Sequence, residues 1–233
     1  MKKKYYLLFL SIPCLLLALS LLFRYKDQAT SVLSSSVLSP KYVVVVDAGH
    51  GGADPGKVGI NNALEKDINL SIALKLKMLL ESQDVRVVLT RSGDDALCDT
   101  SKPNLKIQDM KNRLQVIENA KPDLVVSIHQ NSFPDETVQG AQTFYYHDSV
   151  ASRALAETIQ QSLILCTKQE KERKAEPNSS YYLLKKPIYP VAIVECGFLS
   201  HPEEAKKLLQ DSYQESMAWA IHLGVLQYLN NNQ

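Results

Sequence analysis

The 233 residues contain no C-x-x-C pair, no G-x-S-x-G elbow, no internal repeat and no surplus of either charge. Each absence excludes a class. Without paired C-x-x-C motifs a zinc knuckle or a thioredoxin-like redox site has no ligands. Without the elbow, Ser200-His201 is no serine-hydrolase nucleophile. With 26 Lys+Arg against 25 Asp+Glu, phosphate neutralisation has no basic excess to draw on, so nucleic acid is not an expected partner. Nine glycines and ten prolines are too few for a collagen-like or low-complexity chain. Of the four cysteines, Cys14 lies in an apolar run, which leaves Cys98, Cys166 and Cys196. Three thiols allow one bridge at most and no disulfide framework.

What is present is an ordinary globular composition, 45% hydrophobic and 22% charged, behind an unusual start. Lys2, Lys3 and Lys4 precede an uncharged stretch from Tyr5 to Phe23. At 1.5 Å per residue such a stretch reaches about 28 Å as a helix, close to a bilayer core of roughly 30 Å. It lacks a small-x-small cleavage site before Arg24-Tyr25-Lys26. Residues 1–23 are therefore expected to be a signal-anchor helix, the alternative being a cleaved signal and a secreted protein. The lysines would stay inside, which puts the rest of the chain outside the cytoplasm. Residues 24–40 are Ser-rich and read as a linker. Residues 41–233 are long enough for one sizeable core.

Within that unit, short β-branched runs alternate with helical periodicity. Strands are expected at Tyr42–Asp47, Val85–Thr90, Asp123–Ile128, Gln142–Tyr146 and Val191–Glu195. Helices are expected over a segment carrying Leu64, Ile68, Ile72, Leu76 and Leu79, and over Leu105–Asn119, Val150–Leu165 and Tyr213–Leu229. The continuous run Val43–Val46 belongs in a strand covered on both faces. The expected class is α/β, a mixed but mostly parallel sheet with helices on both faces. Lys168–Lys174 mixes both charges and reads as a solvated loop.

Ligands in such sheets gather beyond the carboxyl ends of the strands. Three expected strands end in reactive residues: Asp47-Ala-Gly-His50-Gly-Gly, His129-Gln-Asn131 and Glu195-Cys-Gly. Two histidines and a carboxylate at one edge suit Zn²⁺ with an open fourth position. Glu65 is a further candidate ligand, although Asn62-Ala-Leu-Glu65 also matches a capping box, which spacing alone favours. A carboxylate ending the apolar strand Val191–Val194 is expected to lose solvent and to titrate nearer neutrality, as a general base must. Strand alternation turns Cys196 away from Glu195, which removes a thiol nucleophile. His147, His201 and His222 lack such a setting and read as surface or core residues.

Together, Asp-Ala-Gly-His50-Gly-Gly, Leu-Glu65-Lys-Asp, Leu-Thr-Arg91, Ser-Ile-His129-Gln-Asn131 and Val-Glu195-Cys-Gly-Phe-Leu-Ser resemble the zinc-dependent N-acetylmuramoyl-L-alanine amidases, peptidoglycan hydrolases of the amidase-3 family. The resemblance implies His50, Glu65 and His129 as ligands of one Zn²⁺ and Glu195 as the catalytic glutamate. It implies cleavage of the amide between N-acetylmuramic acid and L-alanine of the stem peptide. Asn131 is assigned to hydrogen bonding with a ligand or the substrate. The short chain, Gly140–Tyr146 and Arg173-Lys-Ala175 are most similar to the germination-specific members, which prepare spore cortex for muramic δ-lactam formation. An activating or localising protein partner is left open. Ala48, Gln130, Cys196 and His201 depart from the family's usual residues. Two other readings stay open: another zinc peptidase of the stem peptide, and a wall-binding homologue without catalysis.

Overall fold

The computed structural model describes Ser20, residues 40–98 and residues 104–232. The expected anchor and linker lie outside the described residues, Ser20 and Pro40 apart. Among the described residues no helix is long and apolar enough to cross a membrane.

Among its described residues, the unit Pro40–Gln233 is built on a six-stranded sheet. In chain order its elements are β1 (Tyr42–Ala48), α1 (Glu65–Glu81), β2 (Val85–Leu89), α2 (Leu105–Ala120), β3 (Leu124–Asn131), β4 (Gln142–Tyr145), α3 (Val150–Thr167), β5 (Glu176–Pro177), α4 (Tyr182–Lys185), β6 (Val191–Phe198), α5 (Pro202–Lys207) and α6 (Asp211–Asn231). The sheet order is β2-β1-β3-β6-β4-β5. β2, β1, β3 and β6 are parallel, and β4 runs antiparallel to β6. This is the expected mixed, mostly parallel sheet.

Alternation sorts the strand residues into two cores. Val44, Val46, Val126, Ile128, Ala192 and Val194 meet α1, α3 and α6 in the larger one. Val45, Val125, Val191 and Ile193 meet Ile117 of α2 and Leu183 and Leu184 of α4 in the smaller. Helices thus cover both faces, which is why the central strands read as unbroken apolar runs. The same alternation places Asp47, Ser127, His129 and Glu195 on the α2 side at the carboxyl edge. Gln130 and Cys196 fall on the α1 side.

Local detail settles what spacing left open. Cys98, Cys166 and Cys196 are all free thiols. β5, α4 and α5 are too short to leave a periodic signature. Glu65 is the first residue of α1, with Leu64 at the N-cap and no side-chain cap, so the capping box does not form. Its intended partner Asn62 is instead spent in a tight turn at φ 63°, its N–H bonded to the Gly59 carbonyl. The 168–174 segment is the expected loop, mostly exposed, and it is pinned through one side chain. Arg173 lies over the Phe198 ring at 4.9 Å and donates to the Gln139 carbonyl at 2.8 Å and Gln142 Oε1 at 3.0 Å.

Candidate metal centre

Parallel pairing puts β1, β3 and β6 side by side, with His129 registered directly against Glu195. β1 ends at Ala48, and the chain then turns sharply, His50 taking the left-handed conformation at φ 63°. A non-glycine residue there costs conformational energy. Arg113 of α2 holds it in place, donating to the carbonyls of Ala48 at 2.7 Å and His50 at 2.6 Å. Arg91, following β2, secures the other side of the turn, reaching the Ala48 carbonyl at 2.9 Å and the Gly49 carbonyl at 3.0 Å.

The turn carries His50 to the start of α1. His50 Nε2 is 3.2 Å from Glu65 Oε1, and His129 Nδ1 is 2.9 Å from the same oxygen. Ligand atoms from His50, Glu65 and His129 all lie within 4.8 Å of one another. The rings of the two histidines meet edge to face, centroids 5.0 Å apart. The donor set, two imidazoles and one carboxylate, is that of a mononuclear metal site with a position left open.

Two glycines make room for this cluster. A Cβ on Gly49 would lie 2.2 Å from Cε1 of the His129 ring. A Cβ on Gly56 would lie 2.5 Å from Glu65 Oε2 and 2.7 Å from His50 Cδ2. The chain has cleared the space in which three ligand side chains converge.

Further groups orient the cluster. Asp54 Oδ2 is 2.9 Å from His50 Nδ1, which orients the ring with Nε2 towards the centre, the carboxylate support that ligating histidines use. Glu65 Oε2 accepts from the Lys57 N–H at 2.7 Å, and Oε1 from the Gln130 N–H at 3.1 Å. Burial pushes the Glu65 carboxyl up, but the two histidines outweigh it and hold it well below the usual range. Burial likewise pulls both imidazoles down, and the Glu65 carboxylate more than restores them, so both are raised. Glu65 thus attracts both imidazoles, and a cation taking their place at the carboxylate would displace the protons they share with it.

Glu195 stands apart from them. It is buried, and burial pushes its carboxyl up to about 7. One oxygen, Oε1, accepts from the Tyr181 hydroxyl at 3.4 Å. The other, Oε2, has no partner among the described residues. A cleft of about 370 Å³ opens over His50, Glu65, His129 and Glu195, with Asn131, Lys57, Lys106 and Tyr181 among its walls. Asn131 lines this cleft beyond a register shift in β3, with its Oδ1 accepting from the Ser132 N–H at 2.8 Å.

Residues 44–227 match the family described as N-acetylmuramoyl-L-alanine amidase. This chain belongs to that family. It is 35% identical over 215 residues to the germination-specific N-acetylmuramoyl-L-alanine amidase of Bacillus subtilis, covering 89% of this chain and 90% of that one. It resembles the CwlD amidase of Clostridioides difficile, solved in complex with the GerS lipoprotein, at 40% identity and a TM-score of 0.80, across 82% of this chain and all of that one. AmiA of Escherichia coli is 27% identical over 82% of this chain and 77% of its own length. As a family amidase, the chain hydrolyses the bond between N-acetylmuramic acid and L-alanine in peptidoglycan.

Sequence reasoning brought His50, Glu65, His129 and Glu195 to one edge, and the structure brings them together there. It missed Asp54, Arg113 and Tyr181. Asp54 carried a usable signal, a carboxylate four residues past His50 in the same glycine-rich turn.

His147, His201 and His222 stand clear of the cluster. His147 is an exposed partner of Asp148, His201 caps α5 through Nδ1, and His222 packs against Trp219 with centroids 5.2 Å apart. Cys196 lies in the larger core, away from Glu195, its thiol pushed up by burial.

Proposed function

We propose that this amidase is zinc-dependent, with His50, Glu65 and His129 as the ligands, Glu195 as the general base, and spore cortex peptidoglycan as the substrate. The observation that carries the reading is the division of labour among the carboxylates. Glu65 is held ionised among two histidines, while Glu195, a strand away, is buried, is pushed up to about 7 and has one oxygen without a partner among the described residues. Groups pushed apart in this way mark separate ligand and acid–base roles.

Zinc in this site supplies Lewis acidity, polarising the scissile carbonyl and acidifying water. Glu195 accepts the water proton while Tyr181 restrains its Oε1. Oxygen adds to the lactyl carbonyl carbon, the C–N bond breaks, and Glu195 returns a proton to the departing L-alanine nitrogen. The products are a free lactyl carboxylate and a peptide with L-alanine at its amino end. Asn131, on the cleft wall, hydrogen-bonds the substrate.

The test is digestion of purified muropeptides followed by identification of the new amino terminus. A new L-alanine amino terminus together with a free lactyl carboxyl is the expected result. A different new amino terminus would assign the enzyme to stem-peptide proteolysis instead, and no new terminus at all would favour a wall-binding role.

The cortex role is supported by the germination-specific relative. A strain lacking this chain is expected to make cortex without muramic δ-lactam, and normal lactam content would remove the role while leaving the chemistry. The CwlD–GerS structure supports a lipoprotein as the protein partner of this chain as well. Tyr5–Phe23 supports an anchor that holds residues 41–233 outside the cytoplasm. Full-length chain is then expected in the membrane fraction, and a mature start between Phe23 and Pro40 would indicate a cleaved signal.

A further inference from the structure

Behind Glu65 lies an amide pair, Asn69 and Gln130, whose side chains the mechanism leaves unused. Asn69 is fully buried in α1, one turn after Glu65, so its side chain sits beneath that carboxylate. Its Nδ2 donates to the Gly49 carbonyl at 3.1 Å and to Glu65 Oε1 at 3.3 Å. Its Oδ1 accepts from Gln130 Nε2 at 3.1 Å. The Gln130 N–H in turn donates to Glu65 Oε1 at 3.1 Å.

One side chain therefore reaches all three segments that bear the candidate ligands. Gly49 precedes His50, Glu65 begins α1, and Gln130 follows His129. Among the described residues no backbone–backbone hydrogen bond joins α1 to the two strand ends at this depth. β1 has ended, and α1 arrives from the other face of the sheet. A buried asparagine with every polar atom engaged is a rigid joint, because breaking any one of its bonds strands a desolvated group.

We propose that Asn69, braced by Gln130, is a positioning residue that pre-forms the zinc site by fixing Glu65 against the His50 and His129 segments. The inference rests on the ligand reading of Glu65. The chemistry it serves is charge placement. Asn69 presents a donor to one carboxylate oxygen, and the Lys57 N–H holds the other at 2.7 Å. The carboxylate has little freedom left to rotate away from the metal.

The test is zinc affinity of the full-length chain, by competition with a chromogenic chelator, together with the absorption spectrum of the cobalt-loaded protein. Asn69→Ala is expected to weaken zinc binding roughly 10–100-fold, the scale seen when groups that orient ligands are removed. The cobalt bands should shift because the carboxylate is no longer held in one geometry. Asn69→Asp keeps the shape but sets a second carboxylate against Glu65 Oε1, so its loss should be at least as large. Gln130→Ala spares both Asn69 donors and should lose less than either. Should Asn69→Ala melt lower while binding zinc within about threefold of the parent with unaltered cobalt bands, the residue is merely structural and the proposal fails. Glu65→Ala separates the two levels: full zinc retention there would overturn the ligand reading, and the positioning role with it.

Discussion

Arg113 and Asp47 meet at 2.6 Å with both side chains buried, and the same guanidinium group binds the carbonyl of His50. The Asp47 carboxylate is also served by Thr90 and Ser127, and Asp109 holds the arginine from one turn earlier in α2. A buried ion pair thus fastens the loop that delivers a metal ligand.

Removing one member of that pair is expected to be severe. Arg113→Ala leaves a carboxylate buried without its counter-charge, a loss of about 3–5 kcal/mol. Chemical denaturation should show the midpoint falling with little change in slope. Zinc content should fall as well, since His50 loses the bond that fixes its backbone.

The same pair sets acid stability. Burial pushes the Asp47 carboxyl up, yet Arg113 and the two hydroxyls outweigh it and hold it at about 2, below its ordinary 3.8. A depressed acid stabilises the fold above its unfolded value and loses that contribution as pH falls through the folded one. Stability should therefore drop between about pH 4 and pH 2, by roughly 2 kcal/mol from this group. Asp47→Asn should flatten that part of the curve, read by thermal melts across the range.

At the catalytic end, Glu195→Gln keeps shape and zinc but removes the base. Muropeptide turnover should fall by at least about 100-fold with metal content unchanged. In the parent, kcat/KM should rise with pH along a limb of unit slope. Its midpoint should not exceed about 7, because a bound cation draws the Glu195 carboxyl down from that value. Tyr181→Phe deletes a hydrogen bond to the ionised carboxylate, so the limb should move to higher pH. An unmoved limb would detach Tyr181 from the base.

The ligand variants behave differently. His50→Ala and His129→Ala should lose zinc and activity together, measured by metal analysis of purified protein. Glu65→Ala should do the same, well beyond any change in its melting temperature.

The strand ends were the most legible part of this chain. Val44–Val46, Leu124–Val126 and Val191–Val194 are buried on both faces of the sheet, and such unbroken apolar runs leave their polar termini conspicuous. Glu65 was harder, since a carboxylate near a helix start fits capping as well as ligation. Only the turn at Gly59–Asn62 decides against the cap. Arg113 and Asn69 were invisible. Each occupies an ordinary polar position on a helix, and their partners lie far away in sequence, Asp47 and Gly49 for example. Spacing reports what shares a helix face but not what the fold brings against it.

Gly49 has no chemistry of its own, yet the His129 ring occupies the space its Cβ would fill. A single methyl group there, in Gly49→Ala, would evict a ligand while leaving every ligand in the sequence. Screens that sort active amidases from silent relatives by their histidines and glutamates alone would pass such a chain as intact. Competence is written partly in what has been left out, and the glycine before the first histidine belongs in the signature.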